Sequence, residues 1–172
     1  MVTLETVLNV IPIVSLVIVG AYYSLQIRNQ NRNRQAELYM QLFQRDISDE
    51  FQQKVFDLYS LDFSDPEQLN ERYSTDRQLR AAFHSVMFYL DGIGNLMRNG
   101  LIDLEYVSQI GAGVGPIKSW EILRPWIEYY RESRNVPDYM SGFEFYANEM
   151  IRVRKQKGYD TKWSNTQKTF TE

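Results

Sequence analysis

The chain reads as an all-α protein, with an N-terminal transmembrane helix that continues into a cytoplasmic helical bundle of about five helices. Three observations predict this. Val7 to Leu25 is nineteen residues without one charge. Downstream, apolar residues recur at intervals of three and four, the period of a helix face. No alternating strand-like run is present, and no Asn-Gly turn joins two such runs.

The uncharged run comes first. A bilayer core needs about 20 mostly apolar residues for a helix to cross it. Tyr22 and Tyr23 close the run, where aromatic rings favour the lipid–water interface, and Arg28, Arg32 and Arg34 follow. No Lys or Arg precedes it, so the positive-inside rule places the N-terminus outside and the C-terminal domain in the cytoplasm, at the cell (inner) membrane. A cleaved signal peptide would want a basic start and a small-residue cleavage site, and Gly20-Ala21-Tyr22-Tyr23 is a poor one. A helix buried in a soluble core is the other alternative. Pro12 costs one backbone bond, which transmembrane helices tolerate. Gly20 and Ser24 form a small-xxx-small pair, a weak signal for helix association in lipid.

The segments are then 1–27 as anchor, 28–156 as helical domain and 157–172 as a polar tail expected to be disordered. Gln26 to Gln35 is polar without Gly or Pro, so one helix can run from the membrane to about Arg45. Ser48 with Asp49 and Glu50 marks a second helix start, with acids in the first turn. Ser60 to Ser74 reads as a loop holding at most one helical turn after Pro66. A strong helix follows, capped by Ser74 or Thr75, with Leu79, Phe83, Val86, Met87, Leu90, Ile93 and Met97 on one face and Gly100 at its end. Gly92 and Gly94 inside it suggest close packing on a neighbour, with a hinge as the alternative. Asp103 opens a short helix, and the glycine-rich stretch to Pro116 breaks the chain. Pro116 starts a helix bearing Ile117, Trp120, Leu123, Trp126 and Ile127, with a kink or break expected at Pro125. Asn135 to Pro137 ends it, and Asp138 starts a last helix with Phe143, Tyr146, Met150 and Val153 on one face.

Composition narrows the chemistry. The part after residue 27 carries 19 bases and 21 acids, net −2, which argues against a nucleic-acid partner. With no cysteine there are no disulfides, thiolate metal sites or thiol nucleophiles. His84 is the only histidine, and no partner spacing nominates it for catalysis. Asp91, Asp103, Glu105, Glu128 and Glu144 could pair as acid and base or cap helices. Gly111, Gly113 and Gly115 lack the strand and the Gly-Lys-Ser/Thr that a phosphate-binding loop needs, although Lys118 is near, so they read as an interhelical turn. Trp120, Trp126, Tyr129 and Tyr130 form an aromatic group that suits either a core or an interface.

One ordered set of motifs resembles a known family. It comprises Phe88-Tyr-Leu-Asp-Gly-Ile-Gly-Asn-Leu96, Asn99-Gly-Leu-Ile-Asp103, Trp120 with Leu123-Arg-Pro-Trp126, Arg131 with Arg134, and Phe143 onward. This resembles a prokaryotic family of single-pass membrane-anchored helical proteins, catalogued only as a domain of unknown function, over roughly 28–154. Gly111–Gly115 departs from the shorter turn expected there. The resemblance implies the architecture and brings no activity, cofactor or site residues.

The function expected is that of a non-enzymatic accessory or interaction subunit. Its partners are the bilayer and a protein or a second copy of itself, with no catalytic residue, metal or cofactor. A small-molecule or lipid-responsive sensor is the alternative, and a membrane-anchored hydrolase a third reading. The expected orientation has a direct test. A tag placed after Glu172 should resist protease added to intact cells and be cut after lysis.

Overall fold

A computed structural model describes residues 4–162, with side chains from residue 12 onward except at 111 and 112. Seven α-helices and one 3₁₀ turn make up the regular structure, and no strand occurs among the described residues. The helices are α1 (Leu4–Asp46), α2 (Asp49–Tyr59), α3 (Pro66–Thr75), α4 (Arg77–Arg98), α5 (Leu104–Val107), α6 (Gly115–Arg134) and α7 (Ser141–Gln156). The 3₁₀ turn is Ile110–Gly113. The chain divides into two units, Met1–Leu38 and Tyr39–Glu172.

The first unit is helical throughout its described residues. Among the described residues no helix is long and apolar enough to cross a membrane. The side chains of residues 4–11, which open the uncharged run, lie outside the description. From Ile13 to Ile27 the apolar side chains stand exposed, Leu16 at 73% and Val17 at 66%.

The second unit is built around α4. Leu79, Phe83, Val86, Met87, Leu90 and Ile93 are buried, six of the seven residues of the expected stripe; Met97 is half-buried. Burying a side chain of this size stabilises the fold by about 1.5–3 kcal/mol. Phe143, Tyr146, Ala147 and Met150 of α7 are buried too, as are Phe51 and Leu58 of α2 and Ile117, Leu123, Trp126 and Ile127 of α6. The Tyr146 hydroxyl donates to the Val107 carbonyl (3.1 Å) and the Tyr89 hydroxyl to the Leu42 carbonyl (2.8 Å). Both of these phenols thereby have a partner.

Several expectations need correction. The loop expected over Ser60 to Ser74 contains a ten-residue helix, α3. Pro66 stands in its first turn, and the Asp65 carboxylate accepts from the Gln68 amide (3.0 Å). With α3 the bundle gains a helix over the count expected. The cap of α4 is neither Ser74 nor Thr75. Asp76 fills that role, accepting from the Gln78 and Leu79 amides (2.8 and 3.0 Å). The break at Pro125 is absent, since α6 runs unbroken from Gly115 to Arg134. Pro125 lies on the exposed side of α6, where a missing backbone bond costs least. The last helix starts at Ser141 and not at Asp138. Expected stops do hold: Gly100 follows α4 with φ +65, and Asn135 ends α6 in the left-handed region. The tail expected to be disordered lies outside the described residues from 163 onward.

Of the two α4 glycines, Gly94 is the one that packs. A methyl placed on it would lie 1.7 Å from the Gly142 carbonyl oxygen, whereas a methyl on Gly92 meets nothing within 4 Å. Gly94→Ala should therefore destabilise the domain by about 3 kcal/mol or more. Gly92→Ala should be neutral, or stabilising by up to about 1 kcal/mol. Thermal unfolding of the two variants side by side checks the pair, and equal melting temperatures would refute the close approach.

Candidate functional site

Two neighbouring features of the second unit gather chemistry-bearing side chains. The first is the α4–α7 junction. The Asp91 carboxylate, on α4, accepts hydrogen bonds from the Gly142 and Phe143 amides (2.8 and 3.1 Å). These belong to the first turn of α7, whose own N-cap position is Met140, in left-handed backbone with no side-chain cap. A helix N-terminus needs acceptors for its free amides. Here they come from another helix. Asn95 Nδ2 donates to the other Asp91 oxygen (2.8 Å), and Arg98 donates to the Ser141 carbonyl (2.6 Å).

The second feature is aromatic. Trp126, fully buried, sits among Phe83 (4.7 Å between ring centroids), Tyr73 (5.0 Å) and Tyr130 (5.0 Å). Tyr139, from the α6–α7 turn, covers Tyr130 at 4.6 Å. Tyr73 and His84 lie with rings nearly parallel, and the Tyr73 hydroxyl bonds His84 Nε2 (2.8 Å). Trp126 Nε1 is buried without a hydrogen-bond partner among the described residues. The centre of the group is closed and its rim is open. His84 and Phe88 are exposed, and Tyr73, Tyr130 and Tyr139 are half-buried.

Arg131 ties the aromatic group to α7. Its Nε donates to the Tyr139 carbonyl (2.8 Å) and its Nη2 to the Glu144 carboxylate (2.9 Å). A cleft of about 570 Å³ opens beside it, lined by Glu128, Arg131, Glu132, Asn135 and Pro137.

The four aromatic residues singled out in the sequence separate. Trp126 and Tyr130 belong to the group just described. Trp120 is buried elsewhere, edge-on to Phe143 at 5.2 Å with the Arg131 guanidinium 6.0 Å from its ring. Tyr129 is half-buried. Tyr22, Tyr23, Arg28, Arg32 and Arg34 are exposed on α1. Sequence reading missed Tyr73 and Tyr139, because one sits in a segment read as loop and the other in a turn. The candidate acids have separate duties. Asp91 caps α7, Glu128 pairs with Arg124 (2.7 Å) and Glu144 with Arg131. Gly113 has φ +69, which explains one glycine of the 111–115 run as a backbone requirement of the turn. Among the described residues no group of three or more His, Asp or Glu could hold a metal ion.

An all-α bundle with these contacts defines a class of fold, and comparison supplies the family. The family described as a domain of unknown function, DUF4760, matches residues 10–150. The chain belongs to that family. The match begins earlier than the expected resemblance, inside the uncharged run, and ends near the same point in α7. No curated protein and no solved structure matches the chain.

Burial raises the phenol pKa of Tyr59, Tyr73, Tyr89, Tyr139 and Tyr146 above the ordinary value near 10. Neighbouring Tyr130 adds to the rise at Tyr73, and Tyr73 to the rise at Tyr139. A raised phenol keeps its proton longer in the folded state. Folding stability is thus complete below pH ~10 and falls as pH rises above it, where the unfolded chain ionises first. Absorbance titration at 295 nm should show these five of the twelve tyrosines ionising late, together with the loss of helical circular dichroism. Ionisation of these five near pH 10 with the helices intact would contradict this.

Proposed function

We propose that this is a non-enzymatic, membrane-anchored accessory or interaction subunit, with the helical domain on the cytoplasmic side. The observation that carries the reading is the exposed apolar surface of α1. Ile13, Leu16, Val17, Ile18, Tyr22, Tyr23, Leu25 and Ile27 are each 58% exposed or more. In water, contiguous apolar surface of this kind drives association. In lipid it is the stable state, because a helix satisfies its own backbone and presents only side chains. Tyr22 and Tyr23 pack edge to face at 5.8 Å, and three arginines follow within a dozen residues. This is the order of an interfacial belt and an inside flank.

The rim of the Trp126 group supports the interaction half of the proposal. Partly exposed aromatics around a closed centre are what protein interfaces use as anchors. A sensor is the second reading, favoured by the open, polar-lined cleft beside Arg131. Its polar lining suits a charged ligand better than a lipid tail.

The anchor is tested by extraction. The intact chain should remain with the membrane fraction through high-salt and alkaline washes and be released by detergent. Release of most of the chain by either wash would overturn the reading.

A further inference from the structure

The far end of α7 carries a structure of its own. The helix ends at Gln156, and Gly158 turns the chain with φ +72. The Tyr159 amide then bonds back to the Arg154 carbonyl (2.9 Å). Arg154 holds the returning chain twice, since its Nε donates to the Asp160 carbonyl (2.6 Å) and its guanidinium lies 5.5 Å from the Tyr159 ring centroid. The result is an ordered hook, 157–160, with Tyr159 58% exposed.

Charge accumulates around this hook, on the last turns of α7 and the residues just beyond. From Glu149 to Lys162 there are five bases (Arg152, Arg154, Lys155, Lys157, Lys162) against Glu149 and Asp160, net +3. Arg152 is paired with Glu149. Lys155, Lys157 and Lys162 are exposed, and no ion pair holds them among the described residues. The opposite charge is elsewhere on the same unit. From Asp46 to Asp76 nine acids face two bases, net −7. Several of these acids are engaged locally: Asp65 and Asp76 cap helices, Asp62 accepts from the Ser64 amide, and Glu50 pairs with Lys54.

We infer that the α7 hook is a docking surface for anionic lipid headgroups, with Lys155, Lys157 and Lys162 as the contacts and Tyr159 as the interfacial ring. The proposal rests on the membrane-anchor reading. An anionic leaflet attracts cations close to it, and the attraction fades over a Debye length. Aromatic rings settle at the headgroup level, and Trp163 follows directly in the sequence. An anchored chain brings the hook to the surface at high effective concentration, so a few charges suffice.

Because the chain has no cysteine, single-cysteine labelling is clean. Full-length Val17→Cys and Gln156→Cys chains, each carrying an environment-sensitive fluorophore, are reconstituted in nanodiscs that contain nitroxide-labelled lipid. The discs are made of phosphatidylcholine alone or with phosphatidylglycerol. The position 17 probe should be quenched in both. The position 156 probe should be quenched only in the anionic discs, lose that quenching at high salt, and lose it in the triple variant Lys155→Ala, Lys157→Ala, Lys162→Ala. Each lysine should change the docked-to-undocked ratio about fivefold. Equal quenching of position 156 in neutral and anionic discs overturns docking. So does a probe shielded from solvent without quenching, which would mean that the lysines dock on the acidic segment of the protein. If position 17 is not quenched, the anchor reading fails by itself. The position 156 probe is then read on added anionic vesicles, where absence of quenching overturns docking as well.

Discussion

The second unit depends on one close approach of backbone to backbone. Gly94 and Gly142 bring α4 and α7 together so tightly that neither tolerates a Cβ: on Gly142 one would lie 2.4 Å from the Asp91 carbonyl oxygen. The approach makes the rest possible. It places the Asp91 carboxylate within reach of the first amides of α7, and it lets Arg98 reach the Ser141 carbonyl. It also lays Phe143, Tyr146 and Met150 against the apolar stripe of α4. Dispersion falls steeply with separation, so the gain from this contact vanishes if the helices stand an ångström or two apart.

From that junction the order propagates to α6. Arg131 bonds both the turn that leads to α7 and Glu144 inside it. The turn carries Tyr139 onto Tyr130, and Trp126 closes against Phe83 of α4. Three helices and a turn are thereby fixed by one arginine and one cluster of rings. Ring packing of this kind contributes about 0.5–1.5 kcal/mol per pair beyond simple burial. Exposed pairs such as Arg124–Glu128 add about 0.5 kcal/mol. The aromatic and junction contacts therefore outweigh the surface charges in holding this region.

Much of this was legible from the residues. The α4 stripe has a regular spacing, and Gly100, Pro116 and Asn135 are strong local punctuation. The α3 helix was hidden because only Leu69 among its ten residues is buried, so it shows little periodicity, although Asp65 and Pro66 signal its start. The start of α7 was misplaced because its cap is remote. Asp138 looked like the local cap, but the working carboxylate is 51 residues away from Gly142. For the aromatic group, Trp126 and Tyr130 lie one turn apart and can be seen together. Tyr73 and Tyr139 join them only through the tertiary fold. The uncharged run was visible as composition, and the structure adds that its large apolar side chains from Ile13 to Ile27 are exposed.

The remote cap of α7 has a consequence for how the chain is made. A helix whose own N-cap position is a methionine in left-handed backbone has little reason to form in isolation, and sixteen residues are marginal in water in any case. It is also made after α4 and α6, the helices it packs on. Until it arrives, the part of α4 that packs on α7 is uncovered, and Asp91 lacks the Gly142 and Phe143 amides. The nascent domain is thus held in an unfinished, aggregation-prone state until α7 has been made. A chain cut short before Ser141 loses the partner of its central helix, so quality control should recognise it as unfolded.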